Sequence, residues 1–103
     1  MKIRDVIISD DAVADLDAGK AFYDARESGV GDYFIDSLIV DLESLAYYAG
    51  IHAMHWGFLR MSSKRFPFAI YYEIAQETVI VVAVLDMRRD PTWLKEQIET
   101  RKG

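Results

Sequence analysis

Apolar positions recur along this chain in two different periods, and the switches between them mark its elements. Ile3, Val6, Ile7 and Ile8 form a β-branched run, so residues 2–9 read as a first strand. Ser9 or Asp10 then offers an N-cap, and Asp10 and Asp11 sit where the positive end of a helix dipole favours carboxylates. Ala12, Leu16, Gly19 and Tyr23 share one helical stripe with Phe22 beside it, which predicts a first helix to about Glu27. The run Ser28-Gly29-Val30-Gly31-Asp32 breaks it. A second helix is expected from Asp32 to Ala49, with a stripe of Phe34, Leu38, Leu42, Leu45 and Ala49 widened by Ile35, Ile39 and Ala46. Gly50 stands where a C′ glycine belongs, and the short link predicts an antiparallel helical hairpin.

Beyond Gly50 the period falls to two. Residues 55–61, 65–74 and 78–86 read as three strands of a meander, with a turn at Ala75-Gln76-Glu77. Pro67 has no N–H and so belongs at a strand start or an edge. Phe66, Phe68, Ile70, Tyr72 and Ile74 should face one way, and Ala69, Tyr71 and Glu73 the other. Val79–Leu85 is apolar throughout, which predicts a central strand covered on both faces. Asp90 and Pro91 supply an N-cap and first position for a last helix. The order β-α-α-β-β-β-α predicts an α+β fold: an N-terminal strand, an antiparallel helical hairpin, a three-stranded antiparallel meander and a short C-terminal helix.

Composition narrows this picture without changing it. A chain of 103 residues that is 51% apolar with two prolines can bury one core, so residues 1–103 read as a single domain. No stretch reaches the length of a membrane span, and the first residues lead into a strand rather than a signal peptide. The absence of cysteine excludes disulfides and fits a cytoplasmic protein. No internal repeat is found. Charge is uneven: residues 1–50 hold 4 basic and 11 acidic side chains, and residues 51–103 hold 8 and 6. A uniformly basic nucleic-acid binder would not look like this, but a local basic face on an acidic body remains open.

That face is the main candidate for chemistry. Arg60, Lys64 with Arg65, and Arg88 with Arg89 fall at the ends or starts of the meander strands, so Arg60, Arg65 and Arg88 are expected to converge on one patch. Guanidinium forks suit phosphate or carboxylate, whereas simple pairing with hairpin carboxylates is the bland alternative. The carboxylates Asp10, Asp11, Asp15, Asp17, Asp24, Asp36, Asp41 and Glu43 read as a solvated outer face of the hairpin. His52 and His55 read as loop histidines rather than a metal pair, and Gly29-Val30-Gly31 as a turn rather than a phosphate loop. Tyr47-Tyr48, Tyr71-Tyr72 and Trp56 read as core or rim before stacking platforms, since stacking needs an exposed ring beside cations. No metal or cofactor is called for.

The chain resembles the RelE/ParE superfamily of toxins from type II toxin–antitoxin modules, often labelled plasmid-stabilisation proteins. The resemblance rests on the order and spacing of several pieces. They are Ala14-Asp15-Leu16 with Phe22-Tyr23, Gly29-Val30-Gly31-Asp32-Tyr33-Phe34 with Leu38, and Gly57-Phe58-Leu59-Arg60. Arg65-Phe66-Pro67-Phe68-Ala69-Ile70-Tyr71-Tyr72, Val82-Ala83-Val84-Leu85 and Arg88-Arg89-Asp90-Pro91 complete the set. It implies a growth-arresting toxin that acts on DNA gyrase or, in the other branch, cuts mRNA in the ribosome, and that a cognate antitoxin neutralises. The resemblance is also compatible with a homodimer or a hetero-oligomer with the antitoxin. Trp56, Phe58, Tyr71, Tyr72 and Trp93 are the apolar candidates for antitoxin binding. Many relatives carry His where this chain has Asp86, and active nucleases often place Tyr or His near the C-terminus. Here only the aromatic Trp93 follows Arg89, and it cannot transfer a proton, so the ParE-like branch is favoured. A non-toxic relic that only binds antitoxin stays open beside the nuclease.

Overall fold

The computed structural model describes residues 3–102, so Lys2, first residue of the expected opening strand, lies outside the described residues. The elements are β1 (Asp5–Ile8), α1 (Asp10–Arg26), α2 (Val30–Tyr48), β2 (Met54–His55), β3 (Phe58–Ser62), β4 (Phe68–Ala75), β5 (Thr78–Asp86) and α3 (Pro91–Thr100). They form one sheet in the order β1-β5-β4-β3-β2, antiparallel except that β1 adds to β5 in parallel. The α1–α2 hairpin covers one face, over Phe68, Ile70, Tyr72, Val79, Val81 and Val84. Helix α3 covers the other through Leu94 and Ile98, against Phe58, Ala69, Tyr71 and Leu85. This two-sided burial is what the unbroken apolar run of β5 requires.

Three element boundaries differ from the sequence expectation. Helix α2 begins at Val30, two residues early, because the Asp24 carboxylate reaches across from α1 and accepts the Gly31 N–H at 2.8 Å. Residues 55–61 are not one strand. Trp56 and Gly57 both take positive φ (53° and 92°), the pattern of a two-residue hairpin turn, and His55 pairs with Phe58 across it. The third expected strand starts at Phe68 rather than residue 65. Pro67 has no N–H for the ladder, and the segment before it is folded back by Ser63 N–H donating to the Phe68 carbonyl at 2.8 Å.

Strand β5 carries a bulge that the sequence does not announce. Tyr71 opposes Ala83 and Tyr72 opposes Val81, so Val82 is the extra residue, and Val82 and Ala83 both face α3. The bulge falls where β1 stops, since the last β1 pair is Ile8 with Val81. Beyond it β5 has no strand neighbour on that side. Asp15 and Arg101 fill the gap. Asp15 accepts the Val84 N–H at 2.9 Å, Arg101 donates to the Val82 carbonyl at 3.1 Å, and the two side chains form a bidentate pair only 13% and 12% exposed.

Helices α1 and α2 are in close contact at Gly19. A Cβ there would lie 2.6 Å from two atoms of the Phe34 ring, and Phe34 is fully buried among Tyr23, Phe66 and Phe68. That ring has nowhere to go, so Gly19→Ala should destabilise the protein by about 1–3 kcal/mol through overpacking. The shift of a urea midpoint at unchanged slope measures it.

The segment after α2 is pinned by the buried Tyr72 hydroxyl, which accepts the Gly50 N–H at 3.0 Å and meets His52 Nδ1. Burial holds the His52 pKa below its ordinary value of 6.5. Its contribution to stability is therefore complete above that value and is lost as pH falls through it, because the unfolded chain takes the proton first. Unfolding titrations at about pH 7.5 and about pH 5.5 should show the loss, and His52→Asn, which keeps an acceptor near Nδ1 but does not titrate, should flatten it. His55, also held low by burial, supplies the remaining slope.

Candidate functional site

The five expected cations occupy two faces, not one patch. Arg60 on β3 lies opposite Tyr71 in the ladder and so projects from the α3 face, where its charge helps hold the His55 pKa down. Strand periodicity enforces this, since Tyr71 and its cross-strand partner must share a face. Arg65 and Arg88 instead share the hairpin side, at one end of the molecule. Arg65 Nη1 donates to the Tyr33 hydroxyl at 3.2 Å and Arg88 Nη2 to the Tyr23 hydroxyl at 3.4 Å. Those tyrosines flank Phe66, with ring centroids 5.4 and 4.9 Å from it. Arg65 and Arg88 are thus linked through three aromatic rings on one side of the sheet, and Arg60 does not join them.

Arg88 is also engaged. Its Nε donates to Asp86 Oδ1 at 3.0 Å and its Nη2 to Oδ2 at 2.7 Å, a bidentate fork within one turn of chain. The fork holds the Asp86 carboxyl below the usual carboxylate range and the Arg88 guanidinium above its own. Arg89 takes another course, lying over the Trp93 indole with its Cζ 3.7 Å from the ring centroid. Lys64 and Arg65 border a shallow depression of roughly 400 Å³ with Tyr33, Ser37 and Val40.

At the base of that depression is Asp41, which is 4% exposed. It accepts Ser63 Oγ at 2.7 Å and the Lys64 N–H at 3.2 Å, so it positions the basic loop. Asp15 and Asp41 therefore do not belong to a solvated hairpin face as expected; each turns inward to a backbone N–H, whereas Asp24 accepts the Gly31 N–H from the surface, a third exposed and paired with Lys20. The signal for Asp41 was present in the sequence. It lies three residues after Leu38 and four before Leu45, on the apolar stripe itself.

The apolar candidates for a partner surface need correction too. Phe58 is 5% exposed, and Tyr71 and Tyr72 are fully buried. Tyr72 lies under the hairpin and Tyr71 under α3, because alternation along β4 sends neighbours to opposite faces and both faces are covered. Trp56, stacked on Tyr71, and Trp93 remain half-buried. Other apolar side chains are more open: Ile51 (76%), Val40 (65%) and Met54 (61%), with Tyr47 and Tyr48 about half exposed, and on the first strand and just before it Ile7 and Ile3.

A cleft of roughly 250 Å³ opens where α1 crosses the uncovered end of β5. Gly19, Phe68, Val84 and Leu85 line it, Phe22 and Trp93 stand at its sides, and Asp15 and Asp86 add carboxylates. Among the described residues no group of three or more His, Cys, Asp or Glu could hold a metal ion, and no helix is long and apolar enough to cross a membrane.

With this geometry in hand, the comparisons with known proteins are specific. The model of a family described as the ParE toxin of the type II toxin–antitoxin system parDE matches residues 6–91. Among solved structures, a chain from the chromosomal ParDE toxin–antitoxin system of P. aeruginosa superposes with a TM-score of 0.73. It is 16% identical, over 80% of this chain and 94% of that one, so the likeness is one of fold. No curated protein matches the chain.

Proposed function

Since the chain belongs to the ParE toxin family of type II toxin–antitoxin systems, we propose that it arrests growth by inhibiting DNA gyrase and is neutralised by a cognate antitoxin. The observation that carries gyrase inhibition over RNA cleavage is the Arg88–Asp86 fork. Cleaving RNA through its own 2′-hydroxyl needs a base and an acid beside the cation that meets the extra phosphate charge. Here Arg88 already has two donors on a carboxylate. Asp86, with its pKa held low and both oxygens engaged, is a poor base and is not an acid at neutral pH. The nearby tyrosines Tyr23 and Tyr33 already accept from Arg88 and Arg65.

The open apolar side chains along the outer side of α2 and after it (Val40, Tyr47, Tyr48, Ile51 and Met54) suit the antitoxin, because exposed apolar surface on a small protein marks an interaction site. A disordered antitoxin segment could order on that surface and wrap further elements. Localisation to the cytoplasm follows from a gyrase target.

Inducing the chain in a bacterial host and assaying the purified protein against gyrase tests this reading. Growth arrest, loss of plasmid supercoiling in vitro, intact ribosome-bound mRNA and rescue by the antitoxin of the same operon are the expected results. Cleaved mRNA with supercoiling intact would replace the gyrase reading with the nuclease. A chain that binds antitoxin but changes neither growth nor supercoiling would be a relic.

A further inference from the structure

The cleft between α1, the end of β5 and the start of α3 has a construction that neither its place in the core nor gyrase inhibition explains. Its two sides each present an aromatic ring with a guanidinium laid against it. On α1, Phe22 is 41% exposed, with Arg26 Cζ 4.4 Å and Arg88 Cζ 6.0 Å from its ring centroid. On α3, Trp93 carries Arg89 at 3.7 Å. Neither Arg26 nor Arg89 is ion-paired among the described residues. One of these unpaired guanidiniums, Arg89, lines a cleft of roughly 250 Å³ with an apolar floor, and the other, Arg26, lies outside it over the Phe22 ring.

We propose that this cleft takes one unpaired nucleotide of a single strand. The base enters between Phe22 and Trp93, and the phosphates on either side of it meet Arg26 and Arg89. An exposed ring beside cations is what sequence-tolerant strand binding uses, because every base has a face to stack and every link a charge to meet. The slot admits a single ring system and not a duplex. A cation beside each ring fits a strand that runs past both, whereas a free nucleotide has phosphate at one end only. The carboxylates of Asp15 and Asp86 in the same cleft disfavour an acidic peptide side chain inside it. This inference deepens the gyrase reading, since gyrase handles DNA strands.

The test follows Trp93 emission in the Trp56→Phe chain, where Trp93 is the remaining indole, while an oligothymidylate is added. Anisotropy of a labelled oligothymidylate with the unsubstituted chain serves as the second measurement. Binding should quench Trp93 and weaken with salt. Phe22→Ala and Arg89→Ala should each weaken it by about tenfold, as loss of a stacking contact does. Arg60→Ala, on the opposite sheet face, should leave it unchanged. No binding in either measurement, or binding indifferent to Phe22→Ala and Arg89→Ala, overturns the proposal. So does thymidine monophosphate that binds as tightly as the oligomer, or a glutamate-rich peptide that quenches Trp93 where the oligomer does not. Inhibition of supercoiling without oligomer binding would remove the cleft assignment and leave the gyrase reading. Oligomer binding through Phe22 and Arg89 without inhibition would do the reverse.

Discussion

Replacing Asp15 with Ala is expected to destabilise the protein by about 3–5 kcal/mol, as removing one partner of a largely buried ion pair does. The reason is local and double. Asp15 is the acceptor for the Val84 N–H, which no strand can satisfy because β1 ends at Ile8, and it is also the counter-charge of Arg101. Alanine would leave a backbone donor and a guanidinium without their partner in the gap beside the bulge. Asp15→Asn keeps an acceptor for Val84 and should lose less. Removing both Asp15 and Arg101 should cost less than the sum of the two single changes, since no lone charge then remains. Urea unfolding of the four chains of that cycle measures the coupling. A loss under about 1 kcal/mol for Asp15→Ala would mean that water reaches the pair as it reaches a surface bridge.

Phe34→Ala should cost a similar amount, about 3–5 kcal/mol, for a different reason: it empties a site the surroundings cannot refill. The ring is fully buried, with its centroid 5.3 Å from Tyr23, 5.1 Å from Phe66 and 4.8 Å from Phe68, and its edge against the α1 backbone at Gly19. The same geometry gives a sharper check. Gly19→Ala, harmful alone because its methyl meets this ring, should be tolerated far better in the Phe34→Ala chain. If the two losses simply add, the helices are not in contact through Gly19 and Phe34. Because Tyr23 holds Arg88 and Phe66 packs on both Tyr23 and Tyr33, the partner of Arg65, loosening this cluster should blunt any activity of that end of the molecule as well.

The residues differ in how openly they declared their roles. The stripe from Phe34 to Leu45, the alternation from Phe66 to Ile74 and the apolar run of β5 each carry their period in the sequence, and each packs on the face that period requires. Those features are local: a helix or strand sets the spacing of its own side chains whatever it packs on. The Asp90-Pro91 start of α3 was legible for the same reason, as Asp90 caps Thr92 at 2.7 Å within two residues.

What the sequence could not supply were relations between elements. Arg60 and Arg88 look alike as strand-end cations, yet register sends Arg60 to the α3 face while Asp86 and Tyr23 draw Arg88 to the hairpin side. Tyr71 and Tyr72 read as core or rim, and only the two layers that close over them decide for the core. Asp15 pairs with Arg101 across 86 residues, at a gap that exists only because β1 is shorter than β5. By itself, then, the sequence determined which stretches are helix or strand, which of their faces are apolar and which family they resemble, because backbone geometry imposes those periods locally. Only the tertiary structure decided which cations are paired, which aromatics are open and where the cleft lies, because burial, register and counter-charge depend on residues far away in the chain.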